Sequence, residues 1–273
     1  AVPSDIRIND RQSHENHTEV DQMTSKKEET ALTTREPSGF AIVDSPDAKD
    51  VMISAFDQLG ISNFQLSRLK VPAGGVTAWE IEGLEGTRVE QNLDVIILAV
   101  RGRQKAWWAT SMEDGGGGTP PTCSSTDGTN GIGVNTLGAE AVAGTHLCAE
   151  CAWNRFGSAR NGGNGKDCKD HSLLFCFQQG SRIPSMLIVP ATSLKALQGY
   201  VLKLIDAGKR METVVTRLGL KKTQSQSGIT YSTLDMSWTE DIDEEGAATM
   251  VDVSKEFLAR LDGFDAYAPS EDA

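Results

Sequence analysis

Residues 93–108 read LDVIILAVRGRQKAWW, and the first half of that stretch decides the fold class. Leu93-Asp94-Val95-Ile96-Ile97-Leu98-Ala99-Val100 is rich in β-branched and aliphatic residues with a single polar break. Such a run predicts a strand at the centre of a sheet, buried on both faces. Arg101-Gly102-Arg103 interrupts it, and Ala106-Trp107-Trp108 resumes an extended pattern.

Reading outward, further strands are predicted at 64–71, before the turn Pro72-Ala73-Gly74-Gly75, and at 77–81, which alternates apolar and polar residues. Upstream, Ser45-Pro46-Asp47 is a helix start, with Ser45 as N-cap and Pro46 in the first helical position. That helix runs to Gly60. Downstream, strands are predicted at 171–177 and 186–190, then a helix from Thr192 or Ser193 to Gly208, whose apolar residues recur at helical spacing. Strands at 213–220 and 229–236 pair as a hairpin. The order predicts an α+β, mostly β fold: a small OB-like barrel with one helix late in the strand order.

Between the strands lie residues 113–147 and 152–168, rich in Gly, Asn and Pro. Four consecutive glycines and a Pro-Pro pair suit neither helix nor strand. A loop this long inside a compact domain needs something to organise it. The cysteines supply a candidate. Of five, four fall here: Cys123, Cys148-Ala-Glu-Cys151 and Cys168. A C-x-x-C turn places two thiolates on one ion, and two more complete a tetrahedral Zn²⁺ site at about 2.3 Å per sulfur. One structural Zn²⁺ is therefore expected, with His146 and His171 as substitute ligands. Cys176 lies in the apolar run LLFCF and reads as an inert core thiol. The alternative of a redox pair at Cys148 and Cys151 lacks the preceding βαβ pattern.

Three regions follow. Residues 1–36 read as a disordered N-terminal arm, 37–236 as the core domain with a zinc-binding insertion at about 113–170, and 237–273 as an acidic C-terminal tail holding a short helix near 254–261. The net charge is −12 overall, yet residues 100–222 carry +6, against −8 before and −10 after. A cationic middle between acidic ends suits a polyanion-binding protein regulated by its own tail. Arg101, Arg103, Lys105, Arg155, Arg160, Lys166 and Lys169 interleave with Trp107, Trp108, Trp153 and Phe156. Aromatic faces stack on bases and cations meet phosphates, so this set is the expected single-stranded-DNA surface. In an extended strand Trp107 and Trp108 face opposite ways, so one of them belongs to the core.

Gly157–Lys166 superficially resembles a phosphate loop, but Lys166 is followed by Asp167 rather than Ser or Thr. There is no G-x-S-x-G, no H-E-x-x-H and no paired-carboxylate pattern, so no enzymatic activity is expected. No apolar run approaches the roughly 18–20 residues that span a membrane, and the N-terminal residues are polar; a cytoplasmic protein is expected.

Residues 71–236 resemble a group of uncharacterised proteins encoded by phages and integrative elements. The resemblance rests on VPAGGVTAWEI, AWW, PTCSSTDG, CAECAWNRFGSARNGGNGKDCKD and VPATSLKALQGY. In architecture, a barrel with an inserted cysteine-rich zinc subdomain and an acidic tail is similar to phage replicative single-stranded-DNA-binding proteins. That likeness implies a role in replication or recombination in a host cytoplasm, with single-stranded DNA in a cationic groove and replication or recombination proteins on the tail. The competing expectation is a zinc-stapled structural or protein-interaction protein, such as a virion or anti-defence component, that binds no nucleic acid.

Overall fold

A computed structural model describes residues 38–45, 47–59, 66–83, 86–110, 121–137, 140–160, 162–225 and 228–261. The expected N-terminal arm lies outside these residues. The run that opened the sequence reading forms β4, Leu93–Trp107, and it is the axis of the fold. Val95, Ile96, Ile97 and Leu98 are all essentially inaccessible, so both faces of the strand are covered as its composition predicts.

The first helices are α1, Ala41–Asp44, and α2, Ala48–Leu59. Strands β1, Ser67–Lys70, β2, Trp79–Gly83, and β3, Gly86–Glu90, precede β4. After it come β5, Cys123–Ser125, β6, Asn130–Leu137, β7, Glu140–Leu147, β8, Lys169–Gln178, and β9, Ser185–Pro190. Helix α3, Ala191–Asp206, is followed by β10, Val214–Gln224, β11, Thr230–Asp241, and helix α4, Glu244–Arg260.

The main sheet runs β1-β9-β8-β4-β5-β6-β7, and β10 joins β4 at Leu93–Val95 while carrying β11 on its far side. β1 is parallel to β9 and the other pairings are antiparallel, so the sheet is mixed. It does not close, and the expected OB-like barrel is replaced by an open sheet. The reason lies in β4 and β8. A small OB-like barrel fills its own interior, whereas here Ile96, Leu98, Phe175 and Phe177 pack under α1, α2 and α4, and Val95, Ile97, Leu174 and Cys176 pack under α3 and the β2–β3 hairpin. Two buried faces demand a layer on each side. The expected late helix is α3, and α1, α2 and α4 supply the opposite layer.

Nor does β4 stop at Arg101-Gly102-Arg103. It bends there and at Leu98 through two register shifts against β8, with Arg103 at φ 61°. Each bulge leaves a backbone group off the ladder. At Leu98 the carbonyl accepts the Ser254 hydroxyl at 2.7 Å, which ties α4 to the sheet.

The acidic C-terminal segment is correspondingly folded rather than a free tail as far as Leu261. Asp243 caps α4 by accepting the Gly246 N–H at 2.8 Å, and Glu244 and Glu245 sit where the helix dipole favours acid. Its acidic residues occupy one face, while Met250, Val253, Phe257 and Leu261 line the other and are buried in the core. The Phe257 ring meets Phe175 edge-on at 5.3 Å. A Met250→Ala protein is expected to lose about 2–5 kcal/mol of stability, measured as a drop in denaturation midpoint at unchanged slope. A freely extended segment would show no change. Residues 262–273 lie outside the described part. Among the described residues no helix is long and apolar enough to cross a membrane.

Candidate metal centre and nucleic-acid interface

The distal half of β4 carries a small module built from β5, the β6–β7 hairpin and the loop that returns to β8. The segment expected to be irregular thus contains three strands, paired in sequence onto the distal half of β4. Asp127 makes the β5–β6 turn: its carboxylate accepts the N–H groups of Thr129 and Asn130, both at 2.7 Å, and the Ser125 hydroxyl at 3.0 Å. These hydrogen bonds hold the Asp127 carboxyl well below the usual carboxylate range. Gly128 in this turn has φ 72°, and a β-carbon there would run into the Arg103 carbonyl. Only glycine fits such a position.

Three separate segments bring the four thiols together. Cys123 opens β5, opposite Trp107 on β4 and Gly133 on β6. Cys148 follows β7 and its N–H reaches the Thr129 carbonyl at 2.8 Å; Cys151 closes the knuckle with its N–H on the Cys148 carbonyl at 3.3 Å. Cys168 donates its N–H to Trp153 at 2.9 Å immediately before β8. All four line one small cavity of about 10 Å³, together with His146, Lys105, Trp107 and Trp153. All are buried, and no disulfide joins them.

Burial pushes the Cys123 thiol up to about 11 and Cys168 to about 12, and raises Cys148; for Cys123 and Cys168 the charges of the neighbouring cysteines add to the effect. Thiols that feel one another this way are clustered, and a divalent cation among them would reverse the balance and hold them as thiolates. The donor set therefore fits zinc: soft, four in number, and around one cavity. Among the described residues, no group of three or more His, Cys, Asp or Glu side chains stands in metal-holding geometry as placed. His146 Nε2 lies 3.3 Å from Cys123 Sγ, and a β-carbon on Gly131 would come within 2.7 Å of that nitrogen. A side chain at Gly131 would thus displace the His146 ring next to the thiols. His171 pairs with Gln104 in the β4–β8 ladder and does not line the thiol cavity. Cys176 lies in the main core, fully buried, and its thiol is pushed up to about 12 by burial alone.

The aromatic residues divide differently from the expected platform. Trp107 is the inward member of the Trp107-Trp108 pair. It stacks on Trp153 with centroids 5.3 Å apart, and its indole N–H donates to Asp167 at 2.6 Å. Arg160 caps both rings, bonds Asp167 at 2.9 Å, and donates to the Ala109 carbonyl at 2.6 Å and to that of Trp108. This stack is the small core of the module. Trp108 is half-buried.

Several of the expected cations are likewise engaged inside the fold. Arg101 donates to the Leu261 carbonyl at the end of α4. Lys105 pairs with Asp170, and Lys166 reaches Asp170 at 3.2 Å and the Asn154 side-chain oxygen at 3.1 Å. Burial opposes ionisation of Asp170, but Lys105 and Lys166 outweigh it and hold its carboxyl below the usual range. Lys169 donates to the Lys166 carbonyl. What faces outward is Phe156, 81% exposed, with Lys166 Nζ 5.1 Å from its ring centroid, beside exposed Arg155. Arg103 is exposed on the β4 bulge.

Asn154, Asp167 and Asp170 escaped the sequence reading. Asn154 also donates to the Cys148 carbonyl at 2.8 Å, so it braces the knuckle. Its spacing, three residues past Cys151, carried no chemical signal by itself. No protein-family model, no curated protein and no solved structure matches this chain.

Proposed function

We propose that the chain is a non-enzymatic single-stranded-DNA-binding protein of phage or mobile-element type, acting in replication or recombination. Its cysteine module would hold one structural Zn²⁺ through Cys123, Cys148, Cys151 and Cys168. Zinc would supply cross-linking only, fixing loops whose own apolar core is small. The observation that carries the reading is Phe156: a large ring, 81% exposed, beside Lys166 and Arg155, on a loop anchored between Cys151 and Cys168. An exposed aromatic flanked by cations is what a base and its phosphates require.

One observation favours the second reading, a zinc-stapled interaction protein without nucleic acid. Trp107, Trp153, Arg160 and Lys105 are all consumed by internal contacts. Anisotropy titration of a labelled oligo(dT) with the full chain separates the two. Affinity is expected to fall with salt at a log–log slope of about −0.7 per phosphate contact. Absence of binding at low salt would leave the interaction reading.

A further inference from the structure

A groove of about 740 Å³ lies between α3 and the distal halves of β4 and β8, at the foot of the cysteine module. Its walls are mainly apolar, with Leu194, Val201, Leu202 and Met211 along the α3 side. Leu202 is 66% exposed there. Gln198 and Ser172 add hydrogen-bonding groups, and Arg103 stands at the module end. The carboxylate in the wall, Asp170, is already matched by Lys105 and Lys166. Lys195, exposed and one helical turn before Gln198, flanks the same face of α3. Neither Arg103 nor Lys195 takes part in an ion pair among the described residues.

The geometry points to this groove as the continuation of the single-stranded-DNA path that begins at Phe156, an inference that rests on the DNA-binding reading above. Two arguments carry it. The first is continuity. Lys166 Nζ stands 5.1 Å from the Phe156 centroid and 3.2 Å from Asp170, so one side chain bridges the exposed ring and the groove wall. A strand laid across Phe156 therefore passes Lys166 and enters the groove. The second is complementarity. Aliphatic walls accept the faces of bases, which are apolar, without reading their edges. Uncommitted cations at the rim take the phosphates, and the neutralised Asp170 does not repel them. The volume is that of a site for one or two bases rather than for a duplex.

The test is anisotropy titration of fluorescein-labelled oligo(dT) with the full-length protein and its variants at several salt concentrations. Leu202→Glu places a carboxylate in the proposed path and is expected to weaken binding about tenfold or more. Arg103→Gln is expected to flatten the salt slope by about 0.7, the loss of one phosphate contact. Both positions are exposed, so melting temperatures should stay near that of the parent protein. If Leu202→Glu proves poorly folded, Gln198→Glu makes the same charge change one turn earlier. Should Phe156→Ala weaken binding while folded Leu202→Glu or Gln198→Glu protein and Arg103→Gln protein bind like the parent, the groove proposal is overturned and the DNA-binding reading stands. If the parent protein itself binds no oligo(dT) at low salt, both fall together.

Discussion

Cys148→Ser protein is expected to carry almost no zinc, where the parent carries one ion per chain by elemental analysis, and to be cut by protease between residues 121 and 168. The expectation follows from how little else holds the module. Its apolar cluster is Trp107, Cys123 and Cys168 with Trp153 against them, and two of those members are proposed ligands. Structural zinc contributes on the order of 10–16 kcal/mol to such sites, more than a domain of this size has to spare. Losing one of four ligands leaves three buried thiols, which burial keeps protonated and which no longer cross-link the loops. The main core does not share this dependence, because its two clusters lie on β4 and β8 beneath the helices. Cleavage should therefore stop at a stable remnant. Cys176→Ser is the control: that thiol lies in the main core, away from the module, and the variant should retain zinc. Parent protein that purifies without metal and with four freely titrating thiols in the module would refute the assignment.

Phe156→Ala protein is expected to bind oligo(dT) about 5- to 150-fold more weakly, the equivalent of the roughly 1–3 kcal/mol that one stacked base contributes. Its fold should be little affected, since the ring is 81% exposed, with the Lys166 ammonium 5.1 Å from its centroid. Trp107→Ala is the instructive contrast. That ring is buried, stacked on Trp153 and bonded to Asp167, so its loss should loosen the module and lower binding only as a consequence. Circular dichroism melts distinguish the two cases, with the melting temperature falling for Trp107→Ala and unchanged for Phe156→Ala. Equal affinity of parent and Phe156→Ala protein would remove the platform and favour the protein-interaction reading.

Much of the fold was legible in residues 93–108 and in the strand and helix patterns around them. The central strand, α2, α3 and the β10–β11 hairpin lie where periodicity placed them, although α3 begins at Ala191, with Pro190 rather than Thr192 or Ser193 in the N-cap position. Hydrophobic periodicity reports which residues are buried, and burial on both sides of β4 was there to be read. The open sheet was not. Closure depends on which strand pairs with which, and β1 lies parallel to β9, more than a hundred residues away in the chain. Helix α4 was also underread, because the acidic residues on and around it dominate the charge of 237–273 while Met250, Val253 and Phe257 emerge only at helical spacing.

The residue types alone determined the donor chemistry: four cysteines in a stretch too poor in apolar residues to order itself, and a cationic middle between acidic ends. Only the tertiary structure decided how those residues are spent. Asp167 and Asp170, inconspicuous in the sequence, claim Trp107, Arg160, Lys105 and Lys166, because a charge drawn into a half-buried module must find its partner there. Phe156 stays outside because the same loop has no core left in which to bury it. Composition sets which interactions a chain can make; the competition among them for a few buried positions is settled in three dimensions.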